Sequence, residues 1–133
     1  MLKTKEAYDV IVQHSKALIQ TVAALAQKHR STLMMGRTHG IHAILITFGV
    51  KLAIWLDELL RNHKRLRQLE FNEVFVGSIS GAVGTYAAFD GRGIEVERLT
   101  LAELGLVVPN ISWQPSRDRF SEFATTLGIY AGT

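Results

Sequence analysis

The sequence contains no cysteine and only two prolines in 133 residues. Without cysteine there is no disulfide framework, no thiolate metal site and no cysteine nucleophile. Scarce proline, with 47% hydrophobic and 20% charged residues, excludes a proline-rich or collagen-like chain and is too apolar for intrinsic disorder. Long apolar runs are missing as well. The longest, Ala43 to Val50, is broken by Thr47 and Gly49 and falls far short of the roughly 20 residues of a membrane helix. The opening residues Met1 to Glu6 lack the apolar middle of a secretory signal, so the expectation is a soluble, cytoplasmic protein with no membrane partner. This length supports one domain at most.

Charge is nearly balanced, at 15 Lys and Arg against 12 Asp and Glu. The one dense basic cluster, Arg61, Lys64, Arg65 and Arg67 with His63 among them, follows Asp57 and Glu58. It reads as the solvated end of a helix, where cations complement the negative end of the dipole. No aromatic residues interleave with it and no zinc-finger or RNP-type motif is present, so no nucleic-acid partner is expected.

What the chain does have is helical periodicity. From Thr4 to about His29 there is neither Gly nor Pro, and Tyr8, Ile11, Val12, Ser15, Leu18, Ile19, Val22, Leu25 and Ala26 recur at helical spacing. That stripe is wide enough for a bundle helix rather than a surface helix. His14 and His29 fall beside or outside it, and solvent exposure is expected for both. Ser31 to Gly36 reads as an extended connector. A second long helix is predicted from Ile46 to about Leu69, carrying Phe48, Leu52, Ile54, Trp55, Leu56, Leu59, Leu60 and Leu66. A third runs from Gly93 or Ile94 to Leu104 with Gly105 stopping it, and a fourth starts near Ser116 and continues through Phe120, Phe123, Leu127 and Tyr130. The predicted fold class is all-α, a bundle of long helices with polar clusters in its connections. Because apolar rhythm persists to the last residues, the chain is expected to be the middle of something longer.

Chemistry has few places to reside. In Arg37-Thr38-His39-Gly40, an imidazole near neutral pKa on a tight connection can act as acid or base, and Arg37 and Thr38 can hold a carboxylate. Read alone, a His in a polar turn is more often a surface or capping residue. His42 lies three residues beyond His39, but no third ligand stands at metal spacing and the Glu of H-E-x-x-H is absent, so no metal is expected. His42 is expected instead to orient the loop. Gly81 to Thr85 lacks the Gly-Lys-Ser/Thr of a phosphate loop and is expected to serve close helix packing. Gln114 can read a substrate edge by hydrogen bonds, although Gln in a loop is usually just solvated, and Arg117-Asp118-Arg119 is expected to form a surface or interhelical ion-pair set.

Three of these segments together resemble the adenylosuccinate lyase branch of the fumarase/aspartase superfamily. Met34-Met35-Gly36-Arg37-Thr38-His39-Gly40-Ile41-His42-Ala43, continuing through Thr47 to Ala53, resembles that family's T-H-G segment and the helix after it. Ser80-Gly81-Ala82-Val83-Gly84-Thr85-Tyr86-Ala87 resembles its small-residue loop, and Ile111-Ser112 with Gln114 and then Arg117-Asp118-Arg119 resembles its I-S-T-Q…R-D-R segment. The resemblance covers most of the chain from about residue 32 onward.

It implies the superfamily's helical bundle and a cofactor-free β-elimination that releases fumarate from a succinyl-amine nucleotide in purine biosynthesis: adenylosuccinate, and the succinyl-aminoimidazole-carboxamide ribotide. His39 matches the family's general acid, Thr38 a residue beside the substrate and Gln114 a substrate-binding Gln. It further implies a homotetramer with sites shared among three subunits. The chain departs from the family pattern with Ile44-Leu45 in place of Glu-Pro, Ser78 in place of Lys and Trp113 in place of Thr. Nothing in it matches the family's Ser-bearing base loop, S-S-x-M-P-x-K-x-N-P, or its N-terminal domain. The expectation is therefore a central piece, residues 1–133, that carries the acid side of the site and is inactive alone. The alternatives are a non-catalytic helical scaffold or degenerate paralogue, and a carboxymuconate cycloisomerase-like protein. The latter branch resembles parts of the chain but typically lacks a His where His39 stands.

Overall fold

A computed structural model describes residues 1–133. Helix α1 (Leu2–Lys28) leads into a hairpin of β1 (Leu33–Thr38) and β2 (Ile41–Thr47), and then into α2 (Phe48–Phe71). A loop region with one short 3-10 turn (Ala87–Phe89) precedes α3 (Gly93–Glu103), and a second loop leads to α4 (Asp118–Ala131). The protein is predominantly helical, as the periodicity predicts, with the small antiparallel hairpin added. No helix is long and apolar enough to cross a membrane.

The first two helices run antiparallel. Ser15 Oγ lies 3.0 Å from His63 Nδ1, while further along α1 the His29 ring meets the Phe48 ring edge-on at 5.2 Å. His29 is thus half-buried rather than exposed, and it also lies 3.2 Å from the Thr32 hydroxyl. Tyr8, Leu66, Leu69, Val74 and Phe75 form the buried core, flanked by Phe123, Leu127 and Tyr130 of α4. Tyr8 is 1% exposed, and its hydroxyl is buried without a hydrogen-bond partner. Burial, with Glu70 nearby, pushes this phenol up to about 12.

Two boundaries differ from the sequence reading in ways that matter. Helix α2 begins at Phe48, where Thr47 accepts the Val50 N–H at 3.2 Å as its cap, so Ile46 and Thr47 close strand β2 rather than open the helix. It ends at Phe71, which places the Arg61 to Arg67 cluster inside the helix body and leaves its last turn without a basic residue. Two of those cations are placed by acids one turn away: Arg61 pairs with Asp57, and Arg67 pairs with Glu70 at 3.0 Å. Helix α3 ends as predicted. Gly105 takes φ +63°, its N–H donates to the Ala102 carbonyl at 3.2 Å, and the Leu106 N–H reaches the Leu101 carbonyl at 2.9 Å, the paired bonds of a Schellman stop.

Candidate active site

Arg37, Thr38 and His39 sit at the tip of the hairpin. Thr38 pairs with Ile41, so His39 and Gly40 alone make the turn, with φ of +51° and +77°. Positive φ at both positions defines a type I′ turn, whose twist suits a hairpin. Glycine adopts it freely, and His is among the side-chain-bearing residues enriched in this region. The turn holds the His39 ring out at an exposed apex.

Register below the apex is set by a bulge. Met35 pairs with Leu45 but Arg37 pairs with His42, so Ala43 and Ile44 together oppose the single residue Gly36. A Cβ on Gly36 would stand 2.8 Å from the Ile44 carbonyl oxygen, so a side chain has no room there. The bulge brings Arg37 and His42 face to face, with Arg37 Nη2 3.2 Å from His42 Nε2. The guanidinium only donates, so His42 Nε2 accepts and its proton rests on Nδ1. His42 thereby orients Arg37, and no group of three His, Asp or Glu residues comes together in a metal-binding arrangement.

Gln114 belongs to a different cluster. Its side-chain amide donates to the Gly81 carbonyl at 3.1 Å, and the Ser80 and Ser112 hydroxyls are 3.0 Å apart. The loop closes on itself through the Tyr86 N–H to the Ser80 carbonyl at 2.8 Å. Gly84, at φ +80°, is where a Cβ would lie 2.5 Å from Ser112 Oγ, so its close packing is against the loop before α4 rather than against a helix, while Gly81, at φ +84°, has open space around it. Trp113 is buried and donates its indole N–H to the Gly77 carbonyl at 2.7 Å.

The Arg117-Asp118-Arg119 set does not form the expected ion pairs. Arg117 Nη1 donates to the Gln114 and Ser116 carbonyls at 2.5 and 2.9 Å, and Arg119 donates to the Glu73 carbonyl at 3.3 Å while stacking over Trp113 at 5.2 Å. Irregular backbone leaves carbonyls without ladder partners, and the guanidinium groups fill that need.

One charged residue in this cluster escaped the sequence reading. Glu97, 2% exposed, accepts the Ile79 N–H at 2.8 Å and the Tyr86 hydroxyl at 2.5 Å. The hydrogen bond to Glu97, then burial, then the carboxylate's charge raise the Tyr86 phenol above its usual range. The only sequence signal is an acid in line with Gly93 and Leu101 on the buried side of α3.

These two clusters do not meet within one chain. The hairpin joins the end of α1 to the start of α2, whereas the Gln114 cluster lies by Met1 to Lys3, which line a cavity with Gly77 and Trp113 beyond the end of α2. The 24 residues of α2 separate them, a span of about 36 Å at the usual helical rise.

A family model described as "Lyase" matches residues 1–133. The chain is 48% identical to N-acetyl-S-(2-succino)cysteine lyase of Dickeya dadantii, over 100% of its own length and 29% of that protein. It is 44% identical to adenylosuccinate lyase of Aquifex aeolicus, over 99% of its own length and 30% of that protein. Among solved structures, the 3-carboxy-cis,cis-muconate lactonizing enzyme from Pseudomonas putida superposes with a TM-score of 0.88 at 36% identity, covering 98% of this chain and 30% of that one. The chain therefore spans under a third of the length of these relatives, and it belongs to the lyase family within the fumarase/aspartase superfamily.

Proposed function

We propose that the full-length protein eliminates fumarate from a succinyl conjugate, with His39 as general acid and Arg37, Thr38 and Gln114 binding the substrate. The observation that carries this reading is the type I′ turn that presents His39 at its apex beside a bulge-registered Arg37. The imidazole protonates the departing heteroatom as the C–heteroatom bond breaks, and the adjacent guanidinium and hydroxyl are suited to a carboxylate. The base that removes the proton from the succinyl carbon is supplied by chain outside residues 1–133. No cofactor is required for this elimination.

Adenylosuccinate is the substrate implied by the motifs. A second reading, an S-succinyl thioether such as N-acetyl-S-(2-succino)cysteine, is supported by the higher identity to two lyases of that name, 48% and 47%, and by Ile44-Leu45 and Trp113 standing where the adenylosuccinate branch has Glu-Pro and Thr. The two leaving groups separate the readings chemically. A thiol has a pKa near ~8.5 and departs as thiolate with little help, whereas an amine must be protonated as it leaves.

Fumarate release should be followed with both substrates, using the full-length protein and its His39→Ala variant. Loss of His39 is expected to lower kcat by about 10²–10⁴ on the amine substrate and by less on the thioether. Unchanged rates in the variant remove His39 as the acid. No turnover of either substrate by the parent protein returns the reading to a non-catalytic scaffold or to cycloisomerase-type chemistry. Because His39 and Gln114 stand at opposite ends of α2, a complete site draws them from different copies, and we propose a cytoplasmic homotetramer with shared sites.

A further inference from the structure

We propose that Glu97 is a positioning residue for the Gln114 end of the site, its carboxylate pinning both ends of the small-residue loop against which Gln114 is held. This rests on the reading of Gln114 as a substrate-binding group. Each carboxylate oxygen takes one end of the loop: Oε1 accepts the Ile79 N–H at 2.8 Å and Oε2 accepts the Tyr86 hydroxyl at 2.5 Å. Ser80 to Thr85 lie between those anchors. Everything that fixes Gln114 from this side belongs to the pinned stretch, namely the Gly81 carbonyl that accepts its amide and the Ser80 hydroxyl bonded to Ser112.

Helix α3 supplies a second constraint one turn before the carboxylate. A Cβ on Gly93 would stand 2.3 Å from the Tyr86 Cβ, so Tyr86 is seated directly on the helix that carries Glu97. Tyr86 itself has φ +56°, an uncommon conformation for an aromatic residue, which the surrounding contacts must hold. A carboxylate buried to 2% exposure is an expensive way to fill space, and an apolar residue would pack as well. What an apolar residue does not supply is two acceptors aimed in different directions. Chain turns of this kind tolerate several conformations unless something defines one, and the paired acceptors of Glu97 define it.

The test uses the full-length protein with Glu97→Gln, Tyr86→Phe, Gln114→Ala and the Glu97→Gln/Gln114→Ala double variant. Glu97→Gln preserves volume but leaves one acceptor where there were two. It and Tyr86→Phe are expected to raise KM for the succinyl substrate roughly tenfold while changing kcat less than about threefold, the signature of lost substrate binding. The double variant is expected to be no worse than Gln114→Ala alone, because both changes remove the same contact.

Amide hydrogen exchange supplies a readout independent of turnover. Glu97→Gln should speed exchange in residues 79–86 and 111–117 and leave residues 62–71 of α2 unchanged. Unaltered exchange in those loops, additive KM effects in the double variant, or faster exchange throughout the helices would each overturn the positioning role. If the parent protein turns over neither substrate, the functional reading fails by itself, and the exchange pattern still decides whether Glu97 holds the loop.

Discussion

His63 shows how one side chain ties the helical pair to pH. It faces Ser15 across the α1–α2 interface at 3.0 Å, with Arg67 and Lys16 also close enough to act on its charge. Burial first, then the charges of Arg67 and Lys16, lower its pKa below the ordinary 6.5. With the folded-state value below the unfolded one, the neutral ring contributes its full stability above about pH 6.5, and that contribution is lost as pH falls toward the folded value. Thermal unfolding of the full-length protein is therefore expected to occur at lower temperature at about pH 5.5 than at about pH 7.5, with a smaller difference in His63→Gln. Equal pH sensitivity in the two proteins would remove His63 as the cause. The periodicity of α1 marked Ser15 as the single polar member of a buried stripe, but not its partner. That pairing depends on the antiparallel register of two helices, which sequence spacing within either one does not contain.

At the scale of elements, the seam between the hairpin and the helices is the least forgiving place in the chain. Phe48 donates its N–H to the Thr32 carbonyl at 2.8 Å and Gly49 donates to the His29 carbonyl at 2.9 Å, so the start of α2 is bonded to the chain leaving α1. A Cβ on Gly49 would lie 2.7 Å from the Arg30 Cα and 2.8 Å from the Ala26 carbonyl oxygen, both backbone atoms that cannot swing aside. Gly49→Ala is accordingly expected to destabilise the protein by about 1–3 kcal/mol, measured by chemical or thermal unfolding. A variant as stable as the parent would show that the seam yields. The hairpin itself was hidden from the sequence, because Ala43 to Ile46 is a continuous apolar run with no alternation and His39-Gly40 is not one of the common turn pairs. The helices were readable for the opposite reason: α1 has a stripe at helical spacing, and Gly105 ends α3 at a backbone conformation few other residues adopt.

For the whole molecule, the decisive quantity is the length of α2. The motif at His39 and the motif at Gln114 were both visible in the sequence, yet their separation of about 36 Å follows only once the 24 residues between Phe48 and Phe71 are known to form one uninterrupted helix. No substrate the size of a nucleotide or a succinyl thioether reaches both ends, so a site that needs both residues must combine copies. Exposed apolar side chains along the helices, including Val10, Leu18, Ile54, Trp55 and Leu60, give such copies a surface to pack on. At a substrate concentration low enough that His39→Ala and Gln114→Ala full-length proteins each show no turnover, unfolding, mixing in equal amounts and refolding them together is expected to restore activity. Where one site takes His39 from one copy and Gln114 from another, half the copies at each position carry the intact residue, and about a quarter of the sites recover both. Light scattering on the same samples should report an oligomer. Recovery in the refolded mixture, with none when the two variants are refolded apart and then combined, is the result that sharing demands; a mixture as inactive as its components would place both residues in the service of one copy and contradict the geometry of the helix between them.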